Sequence, residues 1–177
     1  LYLSYLQRNI RIKEKRHNMK FAYLFRKWGI DSIKLNIGFA QVEWKSTEDD
    51  QTAAWDMYVE LITRITTQPL EEYEGDESTA LKSIYDLFPI TRMVLKEKGK
   101  NAGAFTRVAI IVLNQVVRPF TAKWHKKQLE GAFEDEKQCI LFRDELKELQ
   151  NRLICYTRLL ADMAEVEDLT AINLNIK

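Results

Sequence analysis

The most regular apolar pattern of the chain lies near its C-terminus. Seven apolar residues from Phe142 to Met163 are separated alternately by four and three positions, a heptad seam that predicts one long helix over about residues 134–165. A seam of this kind packs inside a helical bundle, and a second apolar row beside it leaves room for a contact between subunits as well. The residues that define the core or oligomer seam are Leu146, Leu149, Leu153, Tyr156 and Leu160.

Shorter helical patterns fill the middle of the chain. Hydroxyl and acidic residues at 46–50 predict a helix start, and the following apolar face, which begins with Trp55, predicts a helix that ends at Pro69. The next helix is expected to be capped by Asp76 or Ser78, to bend or break at Pro89, and to end near residue 99.

The segment 102–117 is apolar on nearly all sides, which predicts the central helix of the bundle. A kinked or separate helix is expected after Pro119, with its end near Gly131.

Two segments outside the helical region alternate apolar and polar residues. The string Ile-Lys-Leu-Asn-Ile lies within 32–44, and Ile-Asn-Leu-Asn-Ile lies at 172–176. Alternation of this kind predicts strands, and we expect the two to pair either within one chain or between subunits. The fold class is therefore mainly α, a helical bundle with a long C-terminal helix and a small two-stranded β element.

The charge of the chain is unevenly distributed. Residues 1–28 carry eight basic residues and one acid, Glu14, for a net charge of +7, and the remaining 19 basic and 25 acidic residues give −6. A basic helical arm over 1–30 is thus expected beside a helical domain over 31–177. The arm can bind a phospholipid surface or RNA, or it can be solvated without a partner. The arm residues chosen as anion-facing are Arg8, Arg11, Lys13, Lys15 and Arg16.

The first residues add a membrane hypothesis. Leu1, Tyr2, Leu3, Tyr5 and Leu6 meet the basic run directly, as at the cytoplasmic edge of a membrane helix. No segment of residues 1–177 is long and apolar enough to span a bilayer, so a transmembrane helix is expected upstream of Leu1. An amphipathic helix lying on the membrane surface is the alternative.

Several kinds of chemistry find no motif in the sequence. Cys139 and Cys155 lie sixteen positions apart on one predicted helix, too far apart to pair, and are expected to be reduced. Neither a zinc-ligand cluster nor a phosphate-binding glycine loop nor a nucleophile elbow occurs, so no cofactor or metal is expected.

The main candidate site is an arginine and a histidine at helical spacing. Arg118 and His125 lie seven positions apart, two helical turns, so both side chains can share one face, with Asn114 nearby. Such a pair is typical of HEPN-type helical bundles that bind or cleave RNA. The structural alternative is that Arg118 satisfies the last carbonyls of the helix before Pro119 and that His125 is an ordinary surface histidine.

Four segments resemble one bacterial family. They are Ala53–Leu70, the Gly-Asp-Glu loop at 75–77, the stretch from Leu-Asn-Gln at 113–115 to Lys-Trp-His at 123–125, and Phe-Arg-Asp-Glu-Leu at 142–146. Together they resemble the small accessory membrane proteins of type VI-B CRISPR systems and their stand-alone relatives. The resemblance covers most of residues 37–170 and implies a membrane helix followed by a cytosolic HEPN-like body.

The resemblance implies a function in antiviral defence. Members of this family are expected to assist an RNA-guided nuclease by forming an oligomeric pore that depolarises the bacterial inner membrane. Arg118 and His125 would then be a divergent HEPN pair. HEPN ribonucleases usually have a polar residue after the arginine, whereas Pro119 stands here, so we expect an assembly role for the pair and no robust ribonuclease activity. A HEPN-type ribonuclease or RNA-binding toxin component remains the alternative.

Overall fold

The computed structural model describes residues 47–71 and 74–171, and these residues are mainly helical, as the sequence predicted. Besides α-helices, they include a π-helical segment, Leu113–Val117, and two short 3-10 turns, Gly99–Asn101 and Ala132–Glu134. The predicted strands and the basic arm over 1–30 lie outside the described residues. The α-helices in chain order are α1 (Glu48–Ile62), α2 (Glu77–Tyr85), α3 (Leu87–Lys98), α4 (Gly103–Val112), α5 (Arg118–Leu129) and α6 (Glu136–Ala164).

Helix α1 begins where the sequence predicted but ends earlier. The side chain of Thr47 accepts a hydrogen bond from the Asp50 N–H, and Asp50 accepts one from the Thr47 N–H, which together form a capping box. The predicted end at Pro69 is wrong, because α1 ends at Ile62. The hydroxyl groups of Thr66 and Thr67 donate to the Leu61 carbonyl, so side chains replace the helical N–H groups there.

Helices α2 and α3 meet at a break that lies before the proline. Asp76 caps α2 by accepting a hydrogen bond from the Thr79 N–H at 2.8 Å, one of the two predicted caps. The break falls at Asp86, and Pro89 occupies the first turn of α3. The missing N–H of a proline costs no helical hydrogen bond in a first turn, so Pro89 is tolerated inside α3.

The segment from α4 to α5 is one continuous helical path with a π-helical segment, Leu113–Val117, in its middle. The N–H of Arg118 donates to the Leu113 carbonyl, five residues back. Pro119 accounts for this widening, because its ring would clash with a carbonyl four residues back in a regular α-helix. The segment 102–117, apolar on nearly all sides, was predicted to be the central helix of the bundle, but Ile110 on α4 is 46% exposed.

Helix α6 is the long C-terminal helix that the seam predicted. Its N-terminus is capped by Asp135, and Glu165 ends it in a left-handed conformation with φ of 57°. The most extensive helix–helix packing is between α6 and α1. The two helices form the centre of the core, and Trp55, placed on the buried face of α1 by the sequence pattern, is instead 45% exposed.

Candidate functional site

Arg118 begins α5 and lies on its surface, beside the start of α3. Its Nε donates a hydrogen bond to Oδ1 of Asn114 at 3.1 Å, and its guanidinium carbon lies 5.1 Å from the centre of the Phe88 ring. The hydrogen bond and the cation–π contact together fix the stem of the side chain. Arg118 remains exposed, so the rest of the guanidinium is available to a partner. The interpretation of Arg118 as a cap for free helix carbonyls is wrong, because the helical path continues through it.

His125 lies two turns along α5 and packs against the end of α2. Its ring meets the Tyr85 ring edge-on, with the two centres 5.0 Å apart. Tyr85 in turn contacts Phe88, at 5.6 Å between ring centres. A row of rings therefore connects Arg118 to His125, and we call Asn114, Arg118, His125, Tyr85 and Phe88 the Arg118–His125 face.

The opposite contacts of α5 hold this face in position. Trp124 is fully buried, and its Nε1 donates to Oε2 of Glu145 on α6 at 3.0 Å. Phe120 and Trp124 both pack against Phe142, with ring centres 5.5 and 5.0 Å away. The apolar side of α5 is thus anchored in the core, which leaves its Arg118–His125 side toward solvent and the α2–α3 break.

The sequence pattern does not mark the aromatic members of the face, Tyr85 and Phe88, as site residues. Both lie within the helix predicted to begin near Asp76, and only Phe88 is buried, whereas Tyr85 is 46% exposed. The signal in the sequence is that Phe88 directly precedes Pro89 and that Tyr85 lies four positions before it. A helix break there turns the end of α2 toward α5, but sequence alone does not show which helix it meets.

The chemistry of the face is that of an exposed cation, an amide and an aromatic ring. Among the residues described, the ring contact of His125 is with Tyr85, and no carboxylate hydrogen bond to His125 is formed. No group of three or more metal-ligand side chains occurs within 47–71 and 74–171. The face can bind an anion through Arg118 and a flat group against Tyr85, or it can contact a complementary protein surface.

The seam residues lie in the core of the subunit. Leu146, Leu149, Leu153, Tyr156 and Leu160 are each at most 4% exposed. Burial raises the pKa of the Tyr156 phenol, and its hydroxyl has no hydrogen-bond partner in the described part of the chain. These side chains pack inside the bundle of one subunit, so a contact between subunits would need residues on the surface.

The arm residues Arg8, Arg11, Lys13, Lys15 and Arg16 lie outside the described residues. Cys139 and Cys155 are both free thiols on α6 and are half-buried. Within the described ranges, no helix combines the length and the apolar character that a membrane crossing requires.

Comparison with known proteins adds no relative. No protein-family model, no curated protein and no solved structure matches this chain.

Proposed function

We propose that the protein is an accessory antiviral defence protein that acts beside a type VI-B RNA-guided nuclease. In this proposal it is anchored in the bacterial inner membrane, its helical domain lies in the cytoplasm, and its subunits assemble into a pore that depolarises the membrane. The resemblance over 53–70, 75–77, 113–125 and 142–146 supports the family assignment. The helical bundle agrees with the body that this family is expected to have.

The observation that carries the assembly role is the way in which Arg118 and His125 are held. Both side chains rest on aromatic rings of the same subunit, Phe88 and Tyr85, and the outer part of Arg118 is exposed. A histidine acting as a general base is usually oriented by a hydrogen-bonding partner that fixes its tautomer. An arrangement held by ring packing instead suits a preformed contact surface for a second subunit.

Leakage of a dye from anionic liposomes tests the pore. We expect dye to leak from liposomes that carry the membrane-anchored protein and to be retained by liposomes without it. Arg118→Ala and His125→Ala should both reduce leakage and shift the protein to smaller species in sizing experiments. Lys147→Ala, which removes an exposed cation from α6, is the matched control and should change neither measurement.

Cleavage of RNA by the wild-type protein alone, lost in Arg118→Ala and in His125→Ala, would contradict the proposal. The proposal would also be contradicted if the protein is inserted and oligomeric but neither releases dye from liposomes nor depolarises cells during activation of the nuclease. The measurement in cells is needed because a pore that opens only on a signal would stay closed in liposomes.

The second candidate is an RNA-binding or RNA-cleaving protein, and the exposed ring of Tyr85 favours it. Single-stranded RNA is commonly bound by aromatic side chains that stack on bases and by arginines that contact phosphates. Tyr85 is 46% exposed and shares the face with Arg118 and Asn114. Tyr85→Ala should then weaken RNA binding about tenfold, whereas Trp55→Ala, which removes a ring that is 45% exposed on α1, should not.

A further inference from the structure

A concave surface lies between α5 and α6 and shares no residue with the Arg118–His125 face. It is a cleft of about 260 Å³ whose floor is formed by Val116, Pro119, Phe120 and Leu149. Three of these floor residues, Val116, Phe120 and Leu149, are at most 8% exposed, so the floor belongs to the packed core and is preformed. The volume lies below the range of about 300–1,000 Å³ typical of drug-sized ligands, which indicates a smaller guest.

The shape of the cleft depends on the π-helical segment. Gln115 and Val116 belong to this segment, and Pro119 is the second residue after it. A π turn widens the helix and carries one more residue than an α turn, which displaces the helix surface locally and is frequent at functional sites. The cleft therefore occurs at the place where α5 departs from regular helical geometry.

The charged rim of the cleft divides into two pairs with different roles. Lys123 and Glu145 bind each other at 2.5 Å across the two helices, and Glu145 also accepts the hydrogen bond from Trp124. These groups join α5 to α6. The side chains of Glu148 and Arg152 are exposed and form no ion pair or hydrogen bond with any residue in the described ranges, so this second pair is open to a ligand.

The open pair carries opposite charges one helical turn apart. Side chains at positions i and i+4 of a helix have Cβ atoms about 6 Å apart, so a ligand that presents both charges on neighbouring atoms can reach both. The guanidinium of Arg152 suits a carboxylate, which it can bind through two hydrogen bonds. The carboxylate of Glu148 suits an ammonium group, and the apolar floor lies beside both.

We infer that this cleft binds a small zwitterion of the α-amino-acid class with an apolar side chain. The ligand carboxylate binds Arg152, its ammonium group binds Glu148, and its side chain covers the floor at Phe120 and Leu149. The charge complementarity of the open pair distinguishes this ligand from an apolar molecule, which would leave both charges unpaired. The site does not depend on the proposed pore or on RNA binding.

Titration of the full chain with L-leucine, followed by NMR of the backbone amide groups, tests the inference. We expect saturable shifts at residues 115–120 and 148–152, with a Kd on the order of 1 mM, as suits a ligand of few atoms in an open cleft. 4-Methylpentanoate, which lacks the ammonium group, and 3-methylbutylamine, which lacks the carboxylate, should each bind at least about tenfold more weakly.

Two variants that each remove one charge of the cleft distinguish specific binding from nonspecific effects. Arg152→Gln and Glu148→Gln should each weaken leucine binding at least about fivefold. Asp144→Asn and Lys147→Gln change exposed charges on the same helix outside the cleft and should leave the titration unchanged. Thermal unfolding of each variant verifies that it is folded, since these are surface positions.

Three results would overturn the inference. Shifts that grow linearly without saturation show no binding site. Equal binding by wild type and by Arg152→Gln shows that the charged rim does not recognise the ligand. Equal or tighter binding of the uncharged N-acetyl-leucine amide indicates that the cleft receives an internal peptide segment of a protein, and the amino acid is then not its ligand.

Discussion

The carboxylate of Asp50 on α1 accepts hydrogen bonds from the N–H groups of Ala104 and Phe105 at the start of α4, both at 2.9 Å. Its other oxygen accepts from the backbone N–H and the hydroxyl of Thr47, at 3.1 and 2.9 Å. One buried side chain, 2% exposed, therefore caps two helices whose starts lie more than fifty positions apart in the sequence. Helix α4 has no side-chain cap from its own N-cap residue, Ala102, so Asp50 supplies it.

Replacement of Asp50 should therefore destabilise the bundle more than a single cap substitution usually does. We expect Asp50→Ala to lower the free energy of unfolding by about 2–4 kcal/mol, because buried N–H groups of α4 lose their acceptor. Asp50→Asn should cost less, since its amide oxygen can still accept. Urea unfolding measures both. Asp49→Ala, in the same helical turn, is the control, and an equal loss in that variant would show that Asp50 has no special role.

Substitutions on the buried side of α6 should destabilise the protein much more than substitutions on its exposed side. Leu153 is fully buried, so Leu153→Ala should cost about 2–5 kcal/mol of unfolding free energy and Leu153→Asp should unfold the domain. Ile140, 56% exposed on the same helix, should lose less than about 0.5 kcal/mol on replacement by alanine. Circular dichroism during denaturation compares them. A stable, folded Leu153→Asp protein would contradict the placement of the seam in the core.

Tyr156 offers the opposite kind of test, a substitution that removes a polar atom without loss. Its hydroxyl is buried and has no hydrogen-bond partner in the described residues, which costs free energy in the folded state. Tyr156→Phe should therefore leave the free energy of unfolding unchanged or raise it by up to about 1 kcal/mol. A loss of more than about 1 kcal/mol would mean that the hydroxyl has a partner in the folded protein.

The loss of stability at acidic pH should depend in part on Asp76. Hydrogen bonds from Thr79 hold the pKa of this carboxyl below its usual value of 3.8. A group whose pKa is lowered on folding stabilises the protein above its unfolded pKa, and this contribution is lost as the pH falls through the folded pKa. The melting temperature of wild type should thus exceed that of Asp76→Asn at about pH 6, and the difference should shrink at about pH 3.

The side chain of Asp76 is exposed, so the effect on stability will be small. Asp49→Asn, measured in parallel, removes a first-turn carboxylate that makes no capping bond to α2. If the difference between wild type and Asp76→Asn grew toward low pH, the sign of the proposed linkage would be wrong.

The parts of the fold that could be predicted from sequence are those set by local pattern. The seam from Phe142 to Met163 places α6 within two residues at its start and one at its end, because periodic apolar residues reflect burial directly. Asp76 was one of two predicted caps of α2, because an Asp side chain before a helix can accept a hydrogen bond from a free N–H group of the first turn. The end of α1 was not, because side-chain hydroxyls of Thr66 and Thr67 replace helical donors, and pattern alone does not weigh that competition.

For the candidate site too, local features could be predicted from the sequence and tertiary contacts could not. The shared face of Arg118 and His125 follows from helical spacing, and both indeed lie on α5 toward the α2–α3 break. Their contacts with Phe88 and Tyr85 are tertiary, and nothing local to 118–125 encodes them. The same holds for the bond from Asp50 to α4, which depends on how two distant helices pack.

The π-helical segment has a consequence for changes in chain length. Since a π turn holds one residue more than an α turn, deletion of Gln115 combined with Pro119→Ala would give a regular helix and keep α5 in its present orientation. Deletion of Asn151 from α6 would instead rotate every later residue by about 100° and move Leu153 and Leu160 away from the core. In homologous chains that are one residue shorter, the deleted residue should therefore lie within 113–117, and α6 should keep its length.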